Sequence, residues 1–249
     1  MNINIVHYGE IDSTNAEARR LSKDGAESGM VVTAKSQTAG KGRRGRSWES
    51  PAEENLYFSL LLKPAIVPEP APMLTLIMAY SVAKILQKEE IHALIKWPND
   101  LVLSGKKVCG ILTEMNLSGT QVEDVIIGVG LNVNSINFSE ELKDKATSLR
   151  KETLRELECG DLLSMILDEF SKHYEMFLDK QNLEFLQEDY NFLLVNRDRE
   201  VMVLEPGKEY LAKAIGINKQ GELLVQRDNG STEAVFAGEV SVRGIYGYV

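Results

Sequence analysis

The residues from Gln37 to Arg46 combine three glycines with four basic side chains, and Trp48 follows two positions later. Glycine lets the backbone approach a ligand closely, and successive backbone N–H groups can form a concave anion site. Arginine adds paired, charge-assisted hydrogen bonds to phosphate or carboxylate. Because the formal net charge of the chain is -9, this segment predicts a local anion-binding site. A solvated basic turn is the plainer alternative.

Gly40, Gly42 and Gly45 also match the spacing G-x-G-x-x-G. In a dinucleotide-binding fold, that spacing lies between a strand and a helix. Here the pattern predicts one strand over 30–35 and a second strand over 55–62. A loop between two strands excludes the Rossmann interpretation, and the sequence contains no G-x-x-x-x-G-K-[ST] pattern of a P-loop.

The composition is typical of a globular protein, with 249 residues of which 43% are hydrophobic and 26% charged. A pI near 5.0 argues against binding nucleic acid through bulk charge. The chain shows no signal-sequence or membrane-span pattern and only two cysteines, Cys109 and Cys159, so we expect a cytoplasmic location. His7, His92 and His173 lack metal-ligand spacing, and we expect no metal site made by the protein alone.

The polar stretch Asp12-Ser-Thr-Asn15 precedes a predicted helix. Thr14 and Glu17, three residues apart, form the pattern of a capping box at a helix N-terminus. The free N–H groups of a helix N-terminus also favour anions, so Ser13, Thr14 and Asn15 could instead line a polar ligand pocket. The residues alone leave both interpretations open.

Lys106 and Lys107 lie beside the turn of a predicted hairpin, whose strands cover 101–103 and 108–115. A lysine beside a turn is usually a solvated edge residue. Gly110 favours a functional site, because a glycine within a strand often marks close approach of a ligand or another backbone.

Gly128 and Gly130 lie two residues apart in a predicted strand over 122–134 and therefore share one face of it. A strip without side chains leaves a slot on a sheet, which is the interpretation we favour; close packing of a helix over that face is the alternative. We expect such strands to build a sheet edge, and the sequence leaves open whether two copies dimerise through it.

The remaining patterns predict a mixed α/β domain followed by a small β domain. Apolar residues at helical spacing predict three helices, over 73–90, 159–178 and 183–194. The charge-rich stretch 135–158 is predicted to be a mobile connection. Five short predicted strands with tight turns near the C-terminus indicate a small barrel, so we divide the chain into domains over 1–196 and 197–249.

Taken together, six motifs resemble those of the biotin protein ligases and occur in the order of that family. They are Asp12-Ser-Thr-Asn15, Gln37-Thr-Ala-Gly-Lys-Gly-Arg-Arg-Gly-Arg46 with Trp48, Asn55-Leu-Tyr57, Lys96-Trp-Pro-Asn-Asp100, Lys107-Val-Cys-Gly-Ile-Leu112 and Ile127-Gly-Val-Gly-Leu-Asn-Val-Asn134. Each motif alone would be weak, but six in order over residues 12–134 are highly specific. The resemblance implies an α+β fold: a mixed-sheet catalytic domain of the biotin/lipoate ligase type followed by a small SH3-like β-barrel.

The resemblance also implies a two-step reaction. Biotin and ATP give biotinyl-5′-AMP and pyrophosphate, and a lysine of a biotin carboxyl carrier protein domain then attacks the adenylate. Mg²⁺ would accompany ATP. This chemistry agrees with a basic pocket, because the α-phosphate and the biotin carboxylate are anions that must be held together against their repulsion.

Carried onto this sequence, the resemblance assigns catalytic roles to Lys107, Arg43 and Asp100. Lys107 would bridge the carboxylate and the α-phosphate, and Asp100 would orient the carrier lysine or hold Mg²⁺. The biotin-binding residues would be Ser13, Thr14, Asn15, Gln37, Lys41, Gly42, Arg43, Lys107, Gly110 and Gly130. The residues that bind ATP or the adenylate would be Arg43, Arg46, Trp48, Asn132 and Ser148.

Two departures from the family pattern matter. Lys41 stands where many relatives have arginine, which keeps the charge but loses the bidentate fork. The chain also begins only a dozen residues before Ser13, which leaves no room for the N-terminal DNA-binding domain of relatives that repress transcription. We therefore expect a monofunctional ligase with no DNA or membrane partner, and a homodimer stays possible.

Three alternatives to a biotin ligase remain. A lipoate or octanoate ligase uses related chemistry but would lack the Lys-Trp-Pro-Asn-Asp motif and the full Gly-Arg loop. The basic loop together with Lys107 counts against a non-catalytic biotin-binding module. The lack of a DNA-binding domain counts against a regulatory protein that only senses biotinyl-adenylate.

Overall fold

A computed structural model describes residues 1–52, 55–205, 207–237 and 241–244. Its larger sheet has seven strands: β1 Asn4–Ile11, β2 Met30–Gln37, β3 Leu56–Leu62, β4 Leu94–Lys96, β5 Asp100–Leu103, β6 Lys106–Ser118 and β7 Gln121–Leu131. They lie in the order β1-β2-β3-β7-β6-β5-β4. The pair β1–β2 is parallel and the other neighbours are antiparallel. The sheet is therefore mixed, as predicted.

The centre of this sheet is covered on both faces. Every residue of β3 is buried, which explains why this strand is apolar almost throughout instead of alternating. One face packs against α2 (Met73–Lys88), which also packs on α4 (Cys159–Lys180). The other face packs against α1 (Thr14–Lys23), which contacts β2, β3 and β7. The first turn of α1 thereby reaches the glycine-containing part of β7.

A second, antiparallel sheet follows near the C-terminus. Its strands are β8 Glu200–Glu205, β9 Lys208–Ile217, β10 Leu223–Gln226, β11 Thr232–Val235 and β12 Ser241–Gly244. They lie in the order β11-β10-β9-β8-β12. The prediction of five short strands is confirmed, although Val240, predicted to begin the last strand, lies outside the described residues.

The two sheets are joined through α5 (Gln187–Leu193) and the turn that follows it. Trp97 Nε1 donates to the carbonyl of Gly221 (3.0 Å), and Gln187 Nε2 donates to the carbonyl of Ile217 (2.8 Å). These hydrogen bonds hold the second sheet against the first. The predicted division at 196/197 falls between α5 and β8 and stays a prediction.

The predicted capping box of α1 is wrong. Ser13, not Thr14, occupies the N-cap position, and its side chain makes no capping hydrogen bond. Thr14 instead donates to the side chain of Gln37, and Glu17 accepts hydrogen bonds from Tyr8 and Arg20. Tertiary partners have therefore replaced the local cap that the spacing suggested.

Two further expectations differ from the structure. Strand β7 pairs with β3 on one side and β6 on the other, so 122–134 does not form a sheet edge; the edges are β1 and β4. The stretch predicted as a mobile connection contains α3 (Leu149–Thr153). Thr147, Ser148 and Leu149 are fully buried, which anchors that stretch against the sheet.

Within the described residues, none of the helices has the length and apolar character that crossing a membrane requires.

Candidate active site

The residues predicted to bind biotin meet in one cavity of about 50 Å³. It lies where the first turn of α1, the loop between β2 and β3, and the middle of β6 and β7 come together. Its lining residues are Ser13, Thr14, Asn15, Gln37, Lys41, Gly42, Arg43, Trp48, Asn99, Lys107, Gly110, Ile111, Leu112, Gly128, Val129 and Gly130. All ten predicted biotin-binding residues are among them, and so is Trp48.

The end of the cavity at α1 is a buried polar network. Thr14 donates to Gln37 Oε1 through both its backbone N–H (2.8 Å) and its hydroxyl (3.1 Å). Ser59 donates to Asn15 Oδ1 (2.6 Å), and Asn15 Nδ2 donates to Glu114 Oε2 (2.9 Å). Thr14 and Asn15 are each 4% exposed. Mutual hydrogen bonds in a buried network fix the side-chain orientations, so this end of the cavity is pre-organised.

Two contacts outside the cavity support that network. Arg20 donates to both carboxylate oxygens of Asp12 (2.9 and 2.7 Å), and Asp12 accepts the backbone N–H of Ser13 (2.8 Å). The hydrogen bond from Arg20 lowers the pKa of Asp12 to about 2. On the other side, Gln37 Nε2 donates to Ser50 Oγ (2.8 Å). The chain entering α1 and the side chain of Gln37 are thus held from both sides.

Glycines of β6 and β7 form the floor of the cavity. A Cβ on Gly110 would lie 2.7 Å from the Trp48 ring and 3.0 Å from Lys107 Nζ, and one on Gly130 would lie 2.5 Å from the same ring. A Cβ on Gly128 would lie 2.0 Å from Asn15 Oδ1. The alternative interpretation, a helix packed over the glycine face, applies at Gly128, where α1 lies. At Gly130 the ring of Trp48 occupies the slot that we favoured, and the same ring lies over Gly110.

Trp48 brings a hydrogen-bond donor to this floor. Its Nε1–H is buried and has no hydrogen-bond partner among the described residues. Lys107 Nζ lies 5.1 Å from the ring centroid of Trp48, in cation–π range. Because a buried donor without a partner costs free energy, a ligand oxygen that accepts from Nε1 would be favoured.

Arg43 and Lys107, two of the three cationic side chains that line the cavity, are linked through Asn99 and Asp100. Lys107 Nζ lies 2.7 Å from Asp100 Oδ1, and Asn99 Nδ2 donates to the same oxygen (3.0 Å). Arg43 Nη1 donates to Asn99 Oδ1 (2.9 Å), and Arg43 Nη2 donates to the carbonyl of Ala237 (2.6 Å). Burial of Arg43 lowers its pKa, whereas the negative charge of Asp100 raises it by a smaller amount. A guanidinium still stays protonated in proteins, so Arg43 carries positive charge.

The loop between β2 and β3 is folded as a narrow turn. Lys41 and Ser47 pair across it, and Arg43–Gly45 forms a short 3-10 turn. Lys41, Arg44 and Arg46 are exposed, whereas Arg43 is half-buried. Because a strand precedes the loop and a strand follows it, the exclusion of a Rossmann fold is confirmed.

Four predicted site residues do not line the cavity: Asp100, Arg46, Asn132 and Ser148. Asn132 Nδ2 donates to the carbonyl of Thr147 (3.0 Å). Ser148 is fully buried, and its hydroxyl accepts the backbone N–H of Lys151 at the start of α3. The same hydroxyl donates to the carbonyl of Ser135, so a ligand oxygen could accept from it only by replacing that hydrogen bond. The adenylate contacts of these residues stay predictions.

Among the residues that sequence reasoning left out of the site are Asn99, which lines the cavity, and Ser59, which supports it. Asn99 lies inside the Lys-Trp-Pro-Asn-Asp motif, yet the motif alone assigned it no role, and it connects Arg43 to Asp100. Ser59 is the single polar residue of the otherwise apolar β3, and it donates to Asn15. That isolated polar position was a signal, because a polar side chain in a buried strand needs a hydrogen-bonding partner.

Among the described residues, no group of three or more His, Cys, Asp or Glu side chains is placed to hold a metal ion. Cys109 lies in β6 beneath the site, and burial raises the pKa of its thiol. A buried thiol in the neutral form is a poor nucleophile. The reactive groups that the cavity offers are therefore its cations and polar hydrogen-bonding groups.

Comparisons with known proteins agree with this geometry. Residues 8–132 match the Biotin/lipoate A/B protein ligase family, and residues 198–243 match the Biotin protein ligase C terminal domain. The chain is 35% identical over 235 residues to the bifunctional ligase/repressor BirA of Bacillus spizizenii, covering 92% of this chain and 71% of that protein. It is 31% identical over 235 residues to the biotin–[acetyl-CoA-carboxylase] ligase of Mycobacterium tuberculosis, covering 92% of this chain and 85% of that protein.

A solved structure extends the similarity to the whole fold. The biotin protein ligase from Aquifex aeolicus in complex with biotin and ATP matches with a TM-score of 0.83 and 32% sequence identity. The match covers 97% of this chain and 99% of that chain.

The structural match covers both sheets of the chain, and it defines the class of the protein: an α+β ligase whose C-terminal domain is SH3-like. The chain belongs to the biotin/lipoate A/B protein ligase family, and it carries both domains of a biotin protein ligase. The resemblance inferred from the six motifs is thereby confirmed, together with the α+β fold and the assignment as an enzyme.

Proposed function

We propose that the chain activates biotin with ATP as biotinyl-5′-AMP and transfers the biotinyl group to a lysine of a biotin carboxyl carrier protein domain. The observation that carries this proposal is that a buried polar network and two cations, Arg43 and Lys107, converge on one cavity. The relatives support it. One is a biotin–[acetyl-CoA-carboxylase] ligase, and the Aquifex aeolicus enzyme was solved with biotin and ATP.

The polar network at α1 would bind the ureido head of biotin. A ureido group offers two N–H donors and one carbonyl acceptor, so its site needs both donors and acceptors. Ser13, Thr14, Asn15 and Gln37 supply hydroxyl and amide groups of both kinds, and their neighbours hold them in place. The aliphatic tail would then extend along β6 and β7, where Gly110 and Gly130 leave room once Trp48 moves aside.

In the first step, an oxygen of the biotin carboxylate attacks the α-phosphorus of ATP. The bond from that phosphorus to the bridging oxygen breaks, and pyrophosphate leaves with the electron pair. Lys107 and Arg43 lower the repulsion between the two anions and stabilise the charge that develops, which fixed cations do at low reorganisation cost. Lys107 is the residue we place between carboxylate and phosphate, because it lies at the glycine floor.

Mg²⁺ would enter with ATP. Mg²⁺ is usually bound through one or two carboxylates together with substrate phosphates, and Asp100, beside Lys107, fits as one such carboxylate. The ion would supply charge neutralisation at the phosphates.

In the second step, the amine of the carrier lysine attacks the acyl carbon of the adenylate. The bond from carbon to the phosphate oxygen breaks, AMP leaves with the electron pair, and the amine gives up a proton to solvent. Asp100 is the group we place to orient that amine. The exposed loop with Lys41, Gly42 and Arg46 would close over the adenylate, with Trp48 donating to one of its oxygens.

We further propose that the chain acts in the cytoplasm and has no repressor role. The formal net charge of -9 supports the second point, because a protein that binds DNA must neutralise phosphates with a basic surface. A gel-shift assay with DNA from upstream of biotin-related operons should show no specific band. A specific, competable complex would refute this part of the proposal.

The proposed activity is tested by biotin-dependent ATP–pyrophosphate exchange, which measures the first step without a carrier. We expect exchange with biotin and none with lipoate assayed in parallel. Transfer of labelled biotin to a purified carrier domain then tests the second step. Exchange with lipoate alone would move the protein to the lipoate ligases, and exchange with neither acid would contradict the proposal.

A further inference from the structure

Asn99 occupies the boundary between the cavity and a second, more apolar pocket. The second pocket, of about 210 Å³, lies between α2, β6 and the C-terminal domain. Arg43, Asn99 and Ile111 line both spaces. The wall between them therefore depends on how Arg43 and Asn99 are held.

The amide of Asn99 has a single orientation that satisfies its neighbours. Its Oδ1 accepts from Arg43 Nη1 (2.9 Å), and its Nδ2 donates to the carbonyl of Ile111 (3.1 Å) and to Asp100 Oδ1 (3.0 Å). A guanidinium only donates and a carbonyl only accepts, so the reverse orientation would lose the hydrogen bonds to Arg43 and to the carbonyl of Ile111. The backbone carbonyl of Asn99 also accepts the N–H of Ile111 (2.8 Å), which ties the amide to β6.

We infer that Asn99 is a positioning residue that holds Arg43 and the Asp100–Lys107 pair in one fixed arrangement around the reacting carboxylate and phosphate. This inference rests on the proposed function. Arg43 and Lys107 would both contact the biotin carboxylate and the phosphate, and the two cations repel each other when these anions are absent. The neutral amide of Asn99 and the charge of Asp100 lie between Arg43 and Lys107 and keep both at the cavity.

The chemistry explains why an amide is needed at this position. A carboxylate would accept from Arg43, but it could not donate to Ile111 and would place a second negative charge beside Asp100. An apolar side chain would leave the half-buried guanidinium without one of its acceptors. Only a group that accepts at one end and donates at the other can bond to both Arg43 and the carbonyl of Ile111.

The test is a double-mutant cycle on pyrophosphate exchange with Asn99→Ala, Arg43→Ala and the double variant. We expect Asn99→Ala to lower kcat about 10- to 100-fold, the range for a lost hydrogen bond to a charged group. The biotin KM should change by less than about threefold, because the biotin end is held by other residues. The double variant should be within about twofold of Arg43→Ala, since the two act as one unit.

Asn191→Ala is the matched control. Asn191 Oδ1 accepts the N–H of Ile217 (2.7 Å), far from the cavity, so this variant also loses a partly buried amide. It should lower thermal stability and leave kcat unchanged. Wild-type kcat in Asn99→Ala, or losses that multiply in the double variant, would overturn the inference. If Asn99→Ala does not fold, Asn99→Ser enters the same cycle, because its hydroxyl is too short to reach both partners.

A second readout does not depend on activity. The loop contains Lys41, Arg43, Arg44 and Arg46, so trypsin can cut it wherever it opens. Asn99→Ala should be cut in this loop about 5- to 10-fold faster than the parent protein, because Arg43 has lost an anchor, and Asn191→Ala should not. An unchanged rate would overturn the inference. Faster cutting in a protein without exchange activity would reject the proposed function and keep the positioning role.

Discussion

The two ends of the cavity differ in how firmly their side chains are held. At α1, Thr14 and Asn15 are buried and bonded to Gln37, Ser59 and Glu114. In the loop between β2 and β3, Arg43 alone among the four basic residues is half-buried, and the others are exposed.

This difference suggests an order of events. A pre-organised site loses little conformational entropy when its ligand binds, whereas an exposed loop loses more because the ligand must order it. Under the proposed function, the end at α1 would be ready for biotin before ATP arrives, and the adenylate would order the exposed part of the loop around Arg43. Variants at each end, and at the point where the two ends meet, test this comparison.

The largest effect is expected for Lys107→Ala, at the point where the two ends meet. Adenylate formation should fall about a thousandfold, as for removal of one group that stabilises developing charge. Biotin affinity should change only a few-fold, because the charge of Lys107 matters most in the transition state. Pyrophosphate exchange and biotin titration measure the two quantities.

Lys106→Ala is the control for that variant. Lys106 adjoins Lys107, and its Nζ donates to the carbonyl of Lys143 (3.0 Å), away from the cavity. It should keep parental activity. Near-normal adenylate formation in Lys107→Ala would refute the role of Lys107.

Gly128→Ala tests the pre-organised end. The added Cβ would lie 2.0 Å from Asn15 Oδ1, and Asn15 is held by Ser59 and Glu114 and cannot yield freely. A displaced Asn15 would lose its hydrogen bond to biotin, which is worth about 0.5–1.5 kcal/mol, so biotin affinity should fall about 3- to 10-fold. Calorimetric titration measures it, and Gly9→Ala, whose Cβ would meet nothing within 4 Å, should bind normally. Unchanged affinity in Gly128→Ala would mean that this network does not hold biotin.

Arg43→Gly tests the other end. The adenylate should dissociate about tenfold faster, because a charge-assisted contact to its phosphate is lost. Escaped adenylate would then label proteins other than the carrier, while biotin affinity stays close to the parental value. Trapped adenylate release and a labelling assay with an added bystander protein measure both effects.

Arg44→Gly is the matched control in the same loop. Arg44 is exposed and has φ 58°, a conformation that glycine adopts without strain. This variant should retain the adenylate and label only the carrier. Labelling confined to the carrier in Arg43→Gly as well would show that Arg43 does not retain the adenylate.

The smallest effect concerns the anchor before α1. Asp12→Asn should lower the free energy of unfolding by at most about 1 kcal/mol, because the Asp12–Arg20 pair is half-exposed. The folded-state pKa of Asp12, about 2, lies below its ordinary value. Its contribution is therefore complete above about pH 4 and is lost as the pH falls towards 2. Urea titrations of both proteins at several pH values should show this; a difference that grows at low pH would contradict it.

The sequence predicted those parts of the molecule that depend on local pattern. The strands around the loop follow from runs of apolar residues, and the shared face of Gly128 and Gly130 follows from the two-residue period of a strand. The six motifs, taken in their order along the chain, were enough to predict most residues that line the cavity.

The missed features depend on contacts between distant parts of the chain. Thr14 does not cap α1 as predicted, because its hydrogen bonds go to Gln37 at the end of β2. The interior position of β7 follows from pairing with β3, which α2 and three other strands separate from it in the chain. The placement of Trp48 over Gly110 and Gly130 requires the fold of the loop, which no local pattern encodes.

Amide hydrogen exchange, with no ligand, with biotin, and with a non-hydrolysable analogue of biotinyl-5′-AMP, tests the central comparison most directly. We expect the amides of Thr14 and Glu17, which donate to Gln37 and Ser13, to be protected in all three states. Those of residues 41–47, in the exposed loop, should exchange faster and gain most of their protection with the analogue. Equal protection of both segments without ligand would contradict the account, and so would a loop that the analogue leaves unchanged.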